Sequence, residues 1–270
     1  MDTGYKPETT KNNDQRSNGG RLHLIDAFRG FTMISMVLYH SCYDWFEAFG
    51  HNPGWIFNRG AFIWQQSICI SFIIISGMVW CMGRRHAVKR GLILLALGTA
   101  VTLVTVGFMP SQAIYYGILT FMGCATLLMI PLDKLFGYNQ KSGKNTLVLT
   151  ELIHILICLL LFAVSKHIPN GYIGTEYHRI FDLPDTIYRF RCLAILGLPD
   201  PAFSSADYFP VIPWIFMYLS GYHAGKMLPG LRAEFLKKRI PFLSKLGTKS
   251  LLVYIIHQPV CYAIVMLLNR

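Results

Sequence analysis

The chain has little charge. Of its 270 residues only 14% are charged, with 14 acidic side chains against 25 lysines and arginines. A soluble domain of this size carries roughly 25% charged residues, so a water-exposed surface over the whole chain is excluded. Paired cysteines are missing too: Cys42, Cys69, Cys81, Cys124, Cys158, Cys192 and Cys261 fall singly, without a CxxC motif. That argues against a disulfide framework or a zinc module and makes them small core residues. No internal repeat is visible at a short or half-chain period, which argues against a transporter built from symmetric halves. Apolar residues are plentiful, at 53% of the chain with a mean hydropathy of +0.40. The composition is that of an integral membrane protein.

Apolar runs of about 17 to 25 residues, enough to cross ~30 Å of hydrocarbon, fall near 28–48, 61–81, 91–109, 112–131, 147–164, 208–225 and 249–268. The sequence therefore predicts an all-α polytopic membrane helical bundle of about seven transmembrane helices. Residues 1–20, MDTGYKPETTKNNDQRSNGG, have no apolar core and read as a disordered cytoplasmic tail, not a cleaved signal peptide. Residues 21–270 then form one transmembrane domain. With seven crossings, 19 of the 25 lysines and arginines lie on one side, and Arg59, Lys166, Arg179, Arg189, Arg191 and Arg270 on the other. The positive-inside rule makes the N-terminus cytoplasmic and the C-terminus external. A formal charge of +11 is thus accounted for by topology, and no nucleic-acid partner is expected. The expected setting is the plasma membrane, crossed several times, with the lipid bilayer as partner.

The longest segment between spans, about 165–207, falls on the outer side and is rich in proline and aromatics. Loops of this length are usually functional, and a lid is one use. Its middle, DTIYRFRCLAILGL, is amphipathic enough to lie in the interface or re-enter.

A charged side chain near the bilayer centre costs at least ~2.5 to 3.5 kcal/mol, so ionisable residues there are functional candidates. In the first span, RGFTMISMVLYHSCYD, His40 lies 11 residues past Arg29, about 16 Å deeper at ~1.5 Å per residue. Asp44 follows at i+4, where its carboxylate can accept from the imidazole and fix the tautomer. A base oriented by an acid is what acyl transfer to a hydroxyl or amine needs. A buried polar pair between helices is the structural alternative. In the last span, SLLVYIIHQPV, Pro259 frees the carbonyl of Ile255 beside His257, with Tyr254 and Gln258 as further lining residues. DYFPVIPW opens the sixth span, with Asp207 placed to cap it. His51 lies in the loop DWFEAFGHNPGW. His40, Asp44 and His51 are not joined by a further cysteine or carboxylate cluster, so no metal is expected. The basic turn RRHAVKR, with Arg84, Arg85, Lys89 and Arg90, serves topology first. Together with Arg29 it also offers guanidinium forks to a phosphate-rich cofactor such as coenzyme A.

Four ordered motifs carry a resemblance: RLHLIDAFRG before an apolar helix, YYGILTFMGCATLL, LGLPDPAFSSADYFPVIPW and LSKLGTKSLLVYIIHQPV. Together they resemble bacterial membrane proteins sharing the catalytic domain of heparan-α-glucosaminide N-acetyltransferase, over about Arg21 to Pro259. Arg29 and His40 also fit the Arg, ten residues, His pattern of the related acyltransferase family three. The resemblance implies transfer of an acetyl group from cytosolic acetyl-CoA across the membrane to a hydroxyl or amine of an extracytoplasmic glycan or amino sugar. It implies two different histidines: His51 by the heparan enzyme, His40 by acyltransferase family three. His40 is favoured for its expensive placement and for Asp44 one turn away, with His257 or Tyr254 polarising the carbonyl. The competing expectation is a non-enzymatic carrier or a scaffold for envelope synthesis. Nothing in the sequence sets the oligomeric state, a homodimer being one option.

Overall fold

The computed structural model describes residues 22–135, 144–228 and 234–269. The tail expected over residues 1–20 lies outside them. The described residues are 78% helix and 3% strand, an all-α architecture. Its described helices are α1 (His23–Tyr43), α2 (Arg59–Trp80), α3 (Ala87–Phe108), α4 (Ile118–Leu135), α5 (Lys144–Ser165), α6 (Val211–Met227), α7 (Pro241–Thr248) and α8 (Ser250–Leu268). A hairpin of β1 (Tyr172–Gly174) and β2 (Arg179–Asp182) interrupts the segment between α5 and α6, with Tyr172 opposite Asp182 and Ile173 opposite Phe181.

Four helices among the described residues are long and apolar enough to cross a membrane: Arg59–Phe108, Ile118–Leu135, Thr146–Asn170 and Ser250–Leu268. Straight, the 50 residues of the first would reach about 75 Å, over twice a hydrocarbon core. Gly83, at φ −105° and ψ 15°, breaks it within the 3-10 turn Cys81–His86 into α2 and α3. The runs expected near 28–48 and 208–225 fall on α1, which carries Asp26, Arg29 and His40, and on α6, which has 17 residues. The segment 165–207 holds the hairpin and short 3-10 turns, including Asp185–Arg189 and Arg191–Leu196. No further crossing forms there, because two arginines and the extended Phe190 interrupt the helical pattern.

The chain divides into two compact units. The first holds the described residues through Ile68 together with 234–269. In it α1 packs on α7 and α8. Closeness is enforced by glycine: a Cβ on Gly30 would stand 2.1 Å from the Leu243 carbonyl oxygen, and one on Gly247 1.8 Å from that of Asp26. The turn after α1 is closed by Glu47, whose carboxylate accepts the N–H groups of Gly54 (3.1 Å) and Ile56 (2.8 Å).

The second unit holds the described residues from Cys69 through Leu228, with α3 packed on α4 and α5 on α6. Gly221 and Gly225, one turn apart on α6, have the carbonyl oxygens of Ile74 and Met78 where their Cβ atoms would be, 2.2 Å away in each case. Small residues spaced by four let membrane helices approach at backbone distance, which replaces the hydrophobic driving force that lipid removes. Serine and threonine hydroxyls turn back on their own helices, as Thr102 Oγ1 does to Gly98 O (3.2 Å) and Thr105 Oγ1 to Val101 O (2.9 Å). Exposed leucines and isoleucines along α5, such as Leu156, Leu160 and Ile153, present the surface that lipid would cover.

Gly247→Ala should destabilise the first unit by at least ~1 to 3 kcal/mol, because the new methyl meets backbone that cannot give way. Gly107→Ala, with nothing within 4 Å of the added carbon, should be neutral or mildly stabilising. Thermal unfolding of both variants in detergent checks the contrast.

Candidate active site

In the first unit, α1 ends in a π-helical turn, Asp44–Ala48, which draws the Asp44 side chain to 1% exposure. Such turns are often found at functional sites because they re-aim side chains out of helical register. Asp44 does not orient His40. Its Oδ1 accepts from Gln258 Nε2 on α8 at 2.9 Å, although the backbone stays helical from His40 to Asp44, whose N–H bonds the His40 carbonyl. The imidazole of His40 instead meets that of His257, ring centre to ring centre at 4.8 Å and 63°. α1 and α8 thus bring together four of the residues singled out in the sequence: His40, Asp44, His257 and Gln258.

His257 is 7% exposed, with Nδ1 2.6 Å from the Tyr254 carbonyl oxygen. An N–H there donates to that carbonyl, so Nε2 carries the lone pair. Nε2 is buried and has no hydrogen-bond partner, as are Asp44 Oδ2 and Gln258 Oε1. Three buried acceptors left open on facing helices call for a donor-bearing guest, because an unmet buried polar group costs ~1 to 3 kcal/mol. Tyr254 lies beside the pair, its ring 5.5 Å from that of His257. His51 is elsewhere in the same unit: exposed, stacked on Trp45 at 4.3 Å, with Nε2 2.6 Å from Asn269 Oδ1. The hydroxyl of Ser35 accepts from Trp64 Nε1 at 2.8 Å, and Tyr39 packs between Trp55 and Trp64, which stiffens α1 one turn before His40.

Arg29 pairs with Asp26 at 3.6 Å in this unit. In the second unit Arg84 pairs with Asp133 at 2.8 Å, and Asp133 also accepts the hydroxyl of Tyr222 at 2.5 Å. Arg85 and Lys89 are exposed, while Arg90 lies half-buried under Gly83 with its Nε sequestered and without a partner.

Asp207 caps a different helix from the one expected. Its Oδ2 accepts the N–H of Ile118 at 3.3 Å, at the start of α4, while α6 begins after Pro210 without a side-chain cap. The reason is the chain path: Ser205 Oγ bonds both the N–H and the carbonyl of Tyr115 (2.9 Å each), laying the segment before α6 along the entrance to α4. Burial pushes the Asp207 carboxyl up to about 6, against a smaller opposing effect of the Ile118 N–H.

A second polar cluster was not read from the sequence. Glu151 on α5 takes Lys226 Nζ at 3.1 Å and His223 Nδ1 at 2.6 Å, both from α6, and His154 stacks on His223 at 4.7 Å. A glutamate inside an apolar run was the available signal, and the costly-charge rule applied to α1 picks it out equally.

The family described as heparan-alpha-glucosaminide N-acetyltransferase, catalytic, matches residues 21–259, and the chain belongs to it. No curated protein and no solved structure matches the chain. With four apolar helices of crossing length among the described residues, the protein is a membrane protein carrying a domain of this acetyltransferase family.

A carboxyl whose folded value is raised, here to about 6 from 3.8, favours the fold only while protonated. The stability it contributes is full below the unfolded value and lost as pH rises through the folded one. Thermal unfolding in detergent should therefore show a decline between about pH 4 and pH 6 that Asp207→Asn removes, since the amide oxygen still accepts from Ile118.

Proposed function

We propose that the protein is an acetyl-CoA-dependent acyltransferase that delivers an acetyl group to a hydroxyl or amine of an extracytoplasmic glycan or amino sugar. The observation that carries this reading is the set of open acceptors at His257 Nε2, Asp44 Oδ2 and Gln258 Oε1. An acceptor hydroxyl or amine is a donor that would fill them. Family membership supplies the reaction class.

In this reading the acceptor gives its proton to His257 Nε2 as its oxygen or nitrogen attacks the thioester carbonyl. The carbon–sulfur bond breaks as the new acyl bond forms, and the imidazolium returns the proton to the departing thiolate. The Tyr254 carbonyl, holding Nδ1–H, stabilises the imidazolium. His40, edge-on to His257, is the second imidazole of the pair. Asp44 and Gln258 position the acceptor. In the first unit Arg29 on α1 is a cation for the cofactor's phosphates; the basic turn of the second unit, with Arg84, Arg85, Lys89 and Arg90, offers cations of the same kind.

We also propose the topology that such transfer needs: seven crossings in the plasma membrane, N-terminus cytoplasmic and C-terminus outside, with the aromatic segment 165–207 on the outer side. The asymmetry of lysine and arginine supports it.

Purified protein in detergent should bind acetyl-CoA by calorimetry and acetylate an amino sugar. His257→Asn should lower transfer by about 10² to 10⁴ fold, the range of a lost general base, with cofactor binding retained. His40→Ala should fall with it, and His51→Ala should stay within a few fold of wild type. Loss of transfer in His51→Ala alone would move the base to the loop, and absence of both cofactor binding and thioester hydrolysis in folded protein would overturn the enzyme reading. Asp44→Asn should raise the KM for the acceptor more than it lowers kcat if the carboxylate positions that substrate.

A further inference from the structure

The Glu151 cluster has no part in the proposed transfer, yet burying it is costly. Glu151 is 4% exposed and His223 2%. We propose that Glu151, His154 and His223 form a binding site for one divalent transition-metal ion of the zinc type, joining α5 to α6.

The stretch ELIH places Glu151 and His154 one turn apart on one face of α5, the Glu-x-x-His spacing by which helical bundles present metal ligands. His223 comes from the facing helix. One carboxylate oxygen and two imidazole nitrogens from these residues lie within 4.8 Å of one another. The two rings are stacked and parallel to within 10°, so their in-plane lone pairs do not converge as they stand and the rings must rotate about their side-chain torsions to share an ion. Their surroundings suit that use. His154 Nδ1 stands 2.7 Å from the Thr150 carbonyl, and a ring N–H donated there leaves Nε2 as the ligand atom, the outer-shell arrangement typical of metal-bound histidine. Two nitrogens and one carboxylate oxygen favour zinc and its neighbours over magnesium or calcium, which prefer all-oxygen sites.

Lys226 is the competitor. Its ammonium takes Glu151 Oε1 at 3.1 Å and supplies the positive charge that the carboxylate otherwise lacks in a low-dielectric interior. A dication displaces part of that role, and the released ammonium sits in the last turn of α6, where the helix dipole favours a cation. The expectation of no metal rests on His40, Asp44 and His51, which no further ligand cluster joins. This ligand set is split between the two helices.

The test uses the full chain in detergent, stripped with chelator and titrated with Co²⁺ and Zn²⁺. Visible absorption of the cobalt form reads the ligand field, and elemental analysis reads stoichiometry. One ion per chain is expected. Glu151→Gln and His223→Asn should each weaken binding by more than about 100-fold, beyond the 10–100-fold typical of outer-shell residues. Lys226→Met, which removes the competing charge, should tighten it by on the order of tenfold. Should the buried variants fail to fold, the half-buried His154→Ala gives the same readout and should lose at least tenfold. If neither wild type nor Lys226→Met binds a stoichiometric ion, or if His154→Ala and His223→Asn bind as wild type does, the cluster is an ion pair only and the proposal falls. None of these readings involves acyl transfer, so they are separate from the fate of the proposed function.

Discussion

In hydrocarbon no water is present to accept or donate a hydrogen bond, so every polar group on a spanning helix must find its partner inside the protein. Much of the structure follows from that requirement. Backbone groups are met within helices. Hydroxyls fold back on the carbonyl one turn earlier, as Thr32 does on Phe28 and Ser41 on Val37, both at 2.9 Å. Trp80 sends its indole N–H to the Thr126 carbonyl at 3.1 Å, and Tyr222 reaches Asp133. With lipid as apolar as leucine, helices gain by close packing and not by hiding apolar surface, which is why glycine carbonyl contacts hold α1 to α7 and α2 to α6.

Against that background, departures from satisfaction carry information. The second unit buries a carboxylate, an imidazole and an ammonium, but they satisfy one another: Glu151, His223 and Lys226 close a network. The His257 cluster of the first unit differs: His257 Nε2, Asp44 Oδ2 and Gln258 Oε1 are buried acceptors without a protein partner, and each gains from a donor. Transfer chemistry is proposed for the first cluster, and ion binding for the second, where an ion has to compete with Lys226.

Legibility followed the range of the interaction. The apolar runs marked the described helices well: the runs near 61–81, 91–109, 112–131, 147–164 and 249–268 fall on α2, α3, α4, α5 and α8, because a crossing length of apolar residues is a local property. His40, Asp44, His257 and Gln258 were also readable singly, each as a polar group in an expensive place. Their pairing was not. Periodicity places Asp44 one turn after His40, and the helix does run unbroken between them, but Gln258 from α8 offers its amide to the carboxylate instead. Asp207 was recognised as a cap but assigned to the nearer helix, since nothing local reveals that Ser205 ties its segment to Tyr115. Glu151 and His223 escaped notice because each helix holds only part of their network.

By itself the sequence determined the membrane setting, the helical class, the family and which side chains are too polar for their surroundings. These depend on composition, run length and motif order, which need no knowledge of what lies across a helix interface. Only the tertiary structure decided that His40 meets His257, that Asp44 serves Gln258, that Asp207 caps α4, and that Glu151 shares its charge with α6. Those outcomes depend on which face of one helix meets which face of another. In this chain glycine approaches help to set it, and their effects appear only when residues hundreds of positions apart are brought within a few ångströms.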